Sequence, residues 1–387
     1  MTPAEADRFV ESAAAYVHIP FCSAVCPYCD FAVVAGQDHL AARYIDAVCT
    51  EIGRSRPWRP LDAIYLGGGT PSHVDPVLLG SVLDALADKH GIAPDAEVSL
   101  EANPEDFSTG TAAALRTVGF NRVSFGAQSF DPGVLSSLGR RHHASQIVSS
   151  FESARAAGFE NLSIDLIFGT PGETDESWGE SLQSGLRLQP DHVSCYALTV
   201  EPGTPLGREV RAGAAGPDPD VQAGRYETAD EVLSRAGLAR YEVSNWSRPR
   251  HECRYNLTVW AQGEYEAYGN GAHGFRRGRR FRNLRRLDAY LDRVEAGRSA
   301  HAGEEMIDGW GAELDRLFVG LRRTVGVASG PGTETLLSSE EGRMLVAAGV
   351  IAEQSGRMVV GRPLLTDAVH RSVLAQLAPI VGVDGDA

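Results

Sequence analysis

Three cysteines, Cys22, Cys26 and Cys29, stand at C-x3-C-x2-C spacing within eight residues. Thiolates are soft ligands, and three on one tight loop suit an iron–sulfur cluster. A cubane cluster has four irons, each wanting a ligand from outside the cluster. Three cysteines leave one iron open, free to bind and activate a second molecule. A structural zinc site would want four closed ligands, usually as two paired half-sites. The other three cysteines, Cys49, Cys195 and Cys253, stand alone. Pro27 and Tyr28 lie between Cys26 and Cys29 and mark a loop, where buried apolar cysteine is not needed.

Those cysteines need a scaffold, and residues 16 to about 200 supply its pattern. Strands are predicted at 15–19, 63–66, 97–100, 122–125, 162–167 and 192–198. Helices are predicted between them at 40–54, 76–89, 109–117, 145–157 and 176–188. Such βα alternation indicates parallel pairing through right-handed crossovers. The expected fold class is α/β, a partial (β/α)6 TIM-like barrel, open rather than closed by eight strands. Chemistry in such folds sits at the C-terminal ends of the strands. There the chain places the cysteines, then Gly67-Gly68-Gly69-Thr70-Pro71, Glu101-Ala102-Asn103-Pro104, Gly126-Ala127-Gln128-Ser129, and Asp165 ahead of Gly169-Thr170-Pro171-Gly172.

The stretch Tyr16-x-His18-Ile19-Pro20-Phe21-Cys22-x3-Cys26-x-Tyr28-Cys29-x-Phe31 resembles the cluster loop of the radical S-adenosylmethionine superfamily. More narrowly it resembles the branch holding oxygen-independent coproporphyrinogen oxidase and the HemW-type heme chaperones. The likeness runs from Tyr16 to about Leu377. It implies a [4Fe-4S] cluster on Cys22, Cys26 and Cys29, with S-adenosylmethionine beside the open iron. Gly68, Gly69 and Thr70 would hold the amino-acid end of that molecule. Glu101 would accept from its ammonium, Gln128 and Asp165 would meet the ribose hydroxyls, and Arg140 would pair with its carboxylate. Tyr16 and Tyr28 would stand near the cluster. The plainer roles are strand-end capping for Glu101 and Asp165 and a surface ion pair for Arg140, with Arg141 as the alternative match.

Within the branch, Phe31 stands where the oxidases typically carry another cysteine, and only fifteen residues precede Tyr16. Both departures point to the heme chaperones, which bind heme and pass it to acceptor proteins such as respiratory enzymes. Coproporphyrinogen oxidase activity is then not expected. The chaperone motif His-Asn-x-x-Tyr-Trp reads here Tyr255-Asn256-Leu257-Thr258-Val259-Trp260. Heme ligation would fall to Tyr255, Cys253, His251 or His273; the plainer role of Tyr255 and Trp260 is core packing. The run Arg276, Arg277, Arg279, Arg280, Arg282, Arg285 and Arg286 could meet heme propionates or form a solvated face. The alternative function is a radical enzyme of the same branch, a methylase or an oxygen-independent coproporphyrinogen III oxidase, which would yield 5′-deoxyadenosine in step with a substrate. A nucleic-acid-binding module has only the arginine run and a winged-helix-like tail in its favour.

The 387 residues suggest two or three domains. The expected division is an N-terminal segment at 1–13, the barrel at 14–200, an extension with the heme-handling region at 201–298, and a winged-helix-like unit at 299–387. Within the extension a helix is predicted at 218–236, a strand at 241–246, a glycine-rich loop at 269–274 and a helix at 287–295. A helix near 345–352 followed by a hairpin is predicted in the last unit, and the tail at 383–387 is expected to fray. The formal net charge is −15, which argues against non-specific nucleic-acid binding. The acidic start does not read as a signal peptide, and no apolar run approaches the ~20 residues of a membrane span. A cytoplasmic location follows, where the three thiols stay reduced. Contact with membrane-bound heme acceptors would be transient.

Overall fold

The strands alternate polar and apolar side chains: Tyr16-Val17-His18-Ile19, Ser99-Leu100-Glu101, Arg122-Val123-Ser124-Phe125, Ser163-Ile164-Asp165-Leu166 and His192-Val193-Ser194-Cys195. Successive side chains on a strand point to opposite faces, so each strand offers one apolar and one polar face. In the computed structural model, which describes Thr2, Glu5 and residues 7–381, both faces are used. The tail at 383–387 lies outside the described residues.

Six strands follow one another in parallel: β1 (Ala13–Ile19), β2 (Leu61–Gly68), β3 (Ile92–Ala102), β4 (Arg122–Gln128), β5 (Asn161–Phe168) and β6 (His192–Ala197). Between them run α1 (Ala41–Arg54), α2 (Pro76–His90), α3 (Thr109–Thr117), α4 (Pro132–Ser137), α5 (Ala144–Ala156) and α6 (Asp175–Arg187). Side-chain caps start several of these helices. Asp75 accepts from Val77 N, Ser108 from Thr111 N, and Thr174 from Ser177 N. Val17, Ile64, Leu100, Val123, Ile164 and Val193 are buried in one large apolar cluster with Val48, Leu79, Leu115, Phe151 and Leu182 of the helices. Glu101, Arg122, Ser124, Asp165, His192 and Ser194 of the polar faces line a cavity instead.

The sheet extends at both ends. After α7 (Pro205–Arg211) and α8 (Pro219–Arg235), the strands β7 (Ala239–Arg240) and β8 (Asn245–Ser247) run antiparallel beyond β6. The single strand expected at 241–246 is thus two short ones. Glu242 accepts from Ser244 N and Asn245 Nδ2 and closes the turn between them. Beyond α9 (Arg254–Trp260), β9 (Glu264–Tyr268) pairs in parallel with the outer side of β1. This seventh parallel strand escapes the apolar pattern because it reads Glu-Tyr-Glu-Ala-Tyr.

The basic run forms one arm of a hairpin, β10 (His273–Arg276) and β11 (Arg279–Asn283), closed by Arg277-Gly278 with φ of 55° and 72°. Past α10 (Leu287–Glu295), β12 (His301–Met306) pairs with β11. The twelve-stranded sheet therefore reads β12-β11-β10-β9-β1-β2-β3-β4-β5-β6-β8-β7 and stays open.

A second apolar core belongs to the C-terminal elements α11 (Gly309–Gly320), β13 (Val327–Ala328), α12 (Pro331–Ser338), α13 (Glu340–Ala347), β14 (Ile351–Gln354), β15 (Arg357–Val360) and α14 (Thr366–Val381). Leu317, Leu336, Ile351, Met358, Val369 and Val373 meet there. Helix, strand, two helices and a hairpin follow in winged-helix order. The helix expected near 345–352 starts earlier, where Ser339 caps it through Gly342 N, and stops before Gly349, whose φ is 66°. Among the described residues no helix is long and apolar enough to cross a membrane.

Candidate functional site

The cysteine loop leaves the end of β1 and is tied to the end of β2. Gly69 N donates to Ile19 O and Thr70 N to Phe21 O, both at 2.8 Å. A short parallel pair, Phe21–Cys22 with Val34–Ala35, closes the base of the loop. Gly68 has φ 111°, and a Cβ there would sit 2.2 Å from the His18 ring. A Cβ on Gly69 would meet Ile19 O and Phe21 O at 2.8 Å. The glycines are needed first so that the two strand ends can touch.

One chain of hydrogen bonds then links two of the cysteines. Thr70 Oγ1 donates to Cys22 Sγ at 3.5 Å and accepts from Asn103 Nδ2 at 3.0 Å. Asn103 Oδ1 accepts from Arg140 Nη2 at 2.5 Å, and Arg140 Nη1 reaches Cys26 Sγ at 3.5 Å. Arg140 Nη2 also donates to Gly126 O at 3.0 Å, while Nε is buried with no protein partner. Arg141 is exposed. Burial pushes the Cys22 thiol up to about 11 and raises Cys29. A bound cationic centre is what would ionise them.

These groups line a cavity of about 500 Å³. Cys22, Cys26, Cys29, Tyr28, Gly68, Gly69, Thr70, Glu101, Gln128, Arg140 and Asp165 all face it. Of the residues the resemblance assigns to the cluster and S-adenosylmethionine, only Tyr16 does not. Glu101 accepts from Gly68 N and Tyr65 Oη at 2.9 Å each, and its burial raises the carboxyl to about 7. Asp165 accepts from Ser124 Oγ at 2.9 Å, and burial raises it too. Gln128 follows a break in register on β4 and has φ 63°, a conformation uncommon outside glycine. A Cβ on Gly126 would crowd Gln128 Nε2 at 2.9 Å. Ser124, Ser194 and Tyr65, to which the sequence assigned no role, line the same wall, as does Asn103 of the strand-end motif. The signal of Ser124, Ser194 and Tyr65 was the polar half of each strand's alternation.

No three His, Cys, Asp or Glu side chains among the described residues converge as ligands of one metal ion. A cubane does not ask for that, since each cysteine binds its own iron. Three sulfurs on one wall, an unmet Arg140 donor and two inward carboxylates fit a cluster with a zwitterionic partner.

A second cavity, about 690 Å³, adjoins the first and shares Asp30 and Phe31 with it. Tyr16, Tyr255, Tyr265, His273, Arg282 and Arg285 line it. Tyr255, Tyr16 and Tyr65 form a triangle of rings, with centroids 5.8 Å (Tyr255–Tyr16), 5.3 Å (Tyr255–Tyr65) and 6.3 Å (Tyr16–Tyr65) apart. His18 accepts or donates at both ring nitrogens, to Tyr16 Oη at 3.1 Å and Ala32 O at 3.0 Å. Of the proposed heme ligands, Tyr255 and His273 face this cavity, Cys253 faces the first, and His251 lines neither.

The arginine run divides sharply. Arg276 pairs with Glu266, Arg279 with Glu304, Arg280 with Asp315, and Arg286 with Asp288. Among the described residues Arg277, Arg282 and Arg285 pair with no carboxylate, and of these Arg282 and Arg285 face the second cavity.

Residues 16–184 match the family model of the radical SAM superfamily. The chain is 40% identical to the heme chaperone HemW of Mycobacterium tuberculosis over 375 residues, which is 93% of this chain and 94% of that protein. It is 35% identical to the heme chaperone HemW of Bacillus subtilis over 327 residues, 81% and 84% of the two chains. Among solved structures it resembles the coproporphyrinogen III oxidase HemN of Escherichia coli, with a TM-score of 0.80 and 21% identity over 96% of this chain and 93% of that one. At that identity the likeness establishes the fold alone.

Proposed function

The chain belongs to the HemW family within the radical SAM superfamily, and from that premise we propose that it binds heme and transfers it to acceptor proteins. Identity to heme chaperones over nearly the whole chain is the observation that carries the heme part of this reading. The cavity that joins Cys22, Cys26 and Cys29 to polar strand ends supports the rest.

Cys22, Cys26 and Cys29 would hold a [4Fe-4S] cluster, and its open corner would take exchangeable S-adenosylmethionine. When bound, this pair supplies one-electron chemistry at a sulfonium centre. The chain's own part is orientation and shelter. Arg140 would give its unmet donor and its fork to a carboxylate. Glu101 and Asp165 would accept from an ammonium and from ribose hydroxyls, and Gln128 would bind beside them. Gly68, Gly69 and Thr70 would border the amino-acid end, while Tyr28 covers the loop. Tyr16 would act one cavity away, on the heme side.

On this reading 14–200 carries the cluster cavity, 201–298 adds the heme-handling wall, and 299–387 is a separate small unit. Acceptors are met in the cytoplasm or at the face of a membrane. Coproporphyrinogen oxidation is not part of the activity. The test is anaerobic reconstitution followed by heme titration with S-adenosylmethionine present. A stoichiometric Soret band and transfer to an apo-acceptor are expected. No heme uptake, with S-adenosylmethionine cleaved on a candidate substrate, would overturn the reading.

A further inference from the structure

We propose that heme sits in the second cavity, with its two propionates on Arg282 and Arg285 and its iron facing His273. The inference rests on the heme-chaperone reading and assigns the site.

His273 and Arg282 are cross-strand partners, so their side chains share one face. Arg285 leaves the same arm two residues after Asn283 and faces the same cavity. Four neighbouring arginines are neutralised by carboxylates of the chain; Arg282 and Arg285, the two of the run that face this cavity, are not. Guanidinium groups left without an internal partner at the rim of a cavity are built for anionic oxygens that come from outside. A pair of them selects a ligand with two carboxylates.

The rest of the wall selects a flat apolar body. Tyr16, Tyr255 and Tyr265 form one aromatic cluster, with Tyr255 edge-on to Tyr265 at 5.9 Å. Phe31, 66% exposed, stands free at the border of the two cavities. Aromatic side chains at an open cavity favour a planar conjugated ligand. The volume of about 690 Å³ is ample for a tetrapyrrole.

His273 is the ligand that remains. His18 has both ring nitrogens engaged. Tyr255 packs against Tyr16, Tyr65 and Tyr265, and a phenolate packed there would be a desolvated anion. No side-chain partner of His273 is found among the described residues. Asp30, the one carboxylate on this wall, stands at the junction with the cluster cavity.

The test uses the full chain with its cluster reconstituted, titrated with ferric heme and with heme dimethyl ester. Wild type should bind heme tightly and the diester about 10–100-fold more weakly. Arg282→Gln with Arg285→Gln should lose that preference, whereas Arg279→Gln, taken from a paired position, should keep it. His273→Ala should change the Soret and visible bands, and added imidazole should restore them. Equal iron and sulfide per chain verifies that each variant is folded. If wild type binds heme but the double variant and His273→Ala keep its affinity and spectrum, the site assignment is overturned and the chaperone reading stands. If wild type takes up no heme, both fall.

Discussion

The two adjoining cavities are made from the same sheet in opposite ways. In the first, the polar groups largely hold one another: Thr70, Asn103 and Arg140 link Cys22 to Cys26, Glu101 binds Gly68 and Tyr65, and Asp165 binds Ser124. In the second, Arg282 and Arg285 are held by no carboxylate. A network that satisfies itself fixes geometry before a ligand arrives, which is what a reactive cofactor needs. A wall with open charges has its affinity unspent, which suits cargo that must come and go. On the proposed reading, rigid positioning and reversible loading would fall to different parts of the sheet, β1–β6 for the first and β9–β11 with Tyr16 and His18 of β1 for the second.

The sharpest way to break this comparison is Cys22→Ala with Cys26→Ala and Cys29→Ala. Iron and sulfide should vanish after reconstitution, while heme uptake should survive; joint loss would mean the cavities are one site. Next in size, Arg140→Lys cannot bridge Asn103, Gly126 and Cys26 as a fork does. S-adenosylmethionine affinity, measured by calorimetry on the reconstituted protein, should fall about 10–100-fold, and heme affinity should not move.

A third prediction concerns the support of the second cavity. Glu51 accepts from Gly269 N, Asn283 Nδ2 and Tyr290 Oη and braces the hairpin from beneath. Burial raises its carboxyl to about 7 from an ordinary 4.5. The folded chain therefore holds a proton there that the unfolded chain has released, and stability from this group is lost as pH rises between those values. Glu51→Gln, permanently neutral, should flatten that decline, a difference of about 1–3 kcal/mol at pH 8 in denaturant melts. The smallest effect belongs to Arg279→Ala. Its pair with Glu304 is about half exposed on both sides, and its loss should cost less than ~1 kcal/mol in the same melts.

The barrel was legible because short apolar runs and capped amphipathic helices sit close to their observed bounds; β1 begins at Ala13 where 15 was expected, and α1 at Ala41 where 40 was. The first cavity was legible because its residues end those strands. β9 was not, because a strand whose glutamates are neutralised by tertiary partners such as Arg276 carries no apolar signature of its own. The arginine run looked like one patch, yet sequence alone does not say which charges find carboxylates. That depends on Glu266, Glu304 and Asp315, which reach the hairpin only once the chain has folded.

The inward face of the barrel strands carries mostly tyrosine, serine, arginine, histidine and acid, while most of the oily residues turn toward the helices. Such a molecule carries its cohesion in its rind and leaves its hollow for recognition. Exchanging a side chain in the hollow should retune what is held with little harm to folding, so new ligands can be tried without rebuilding the shell.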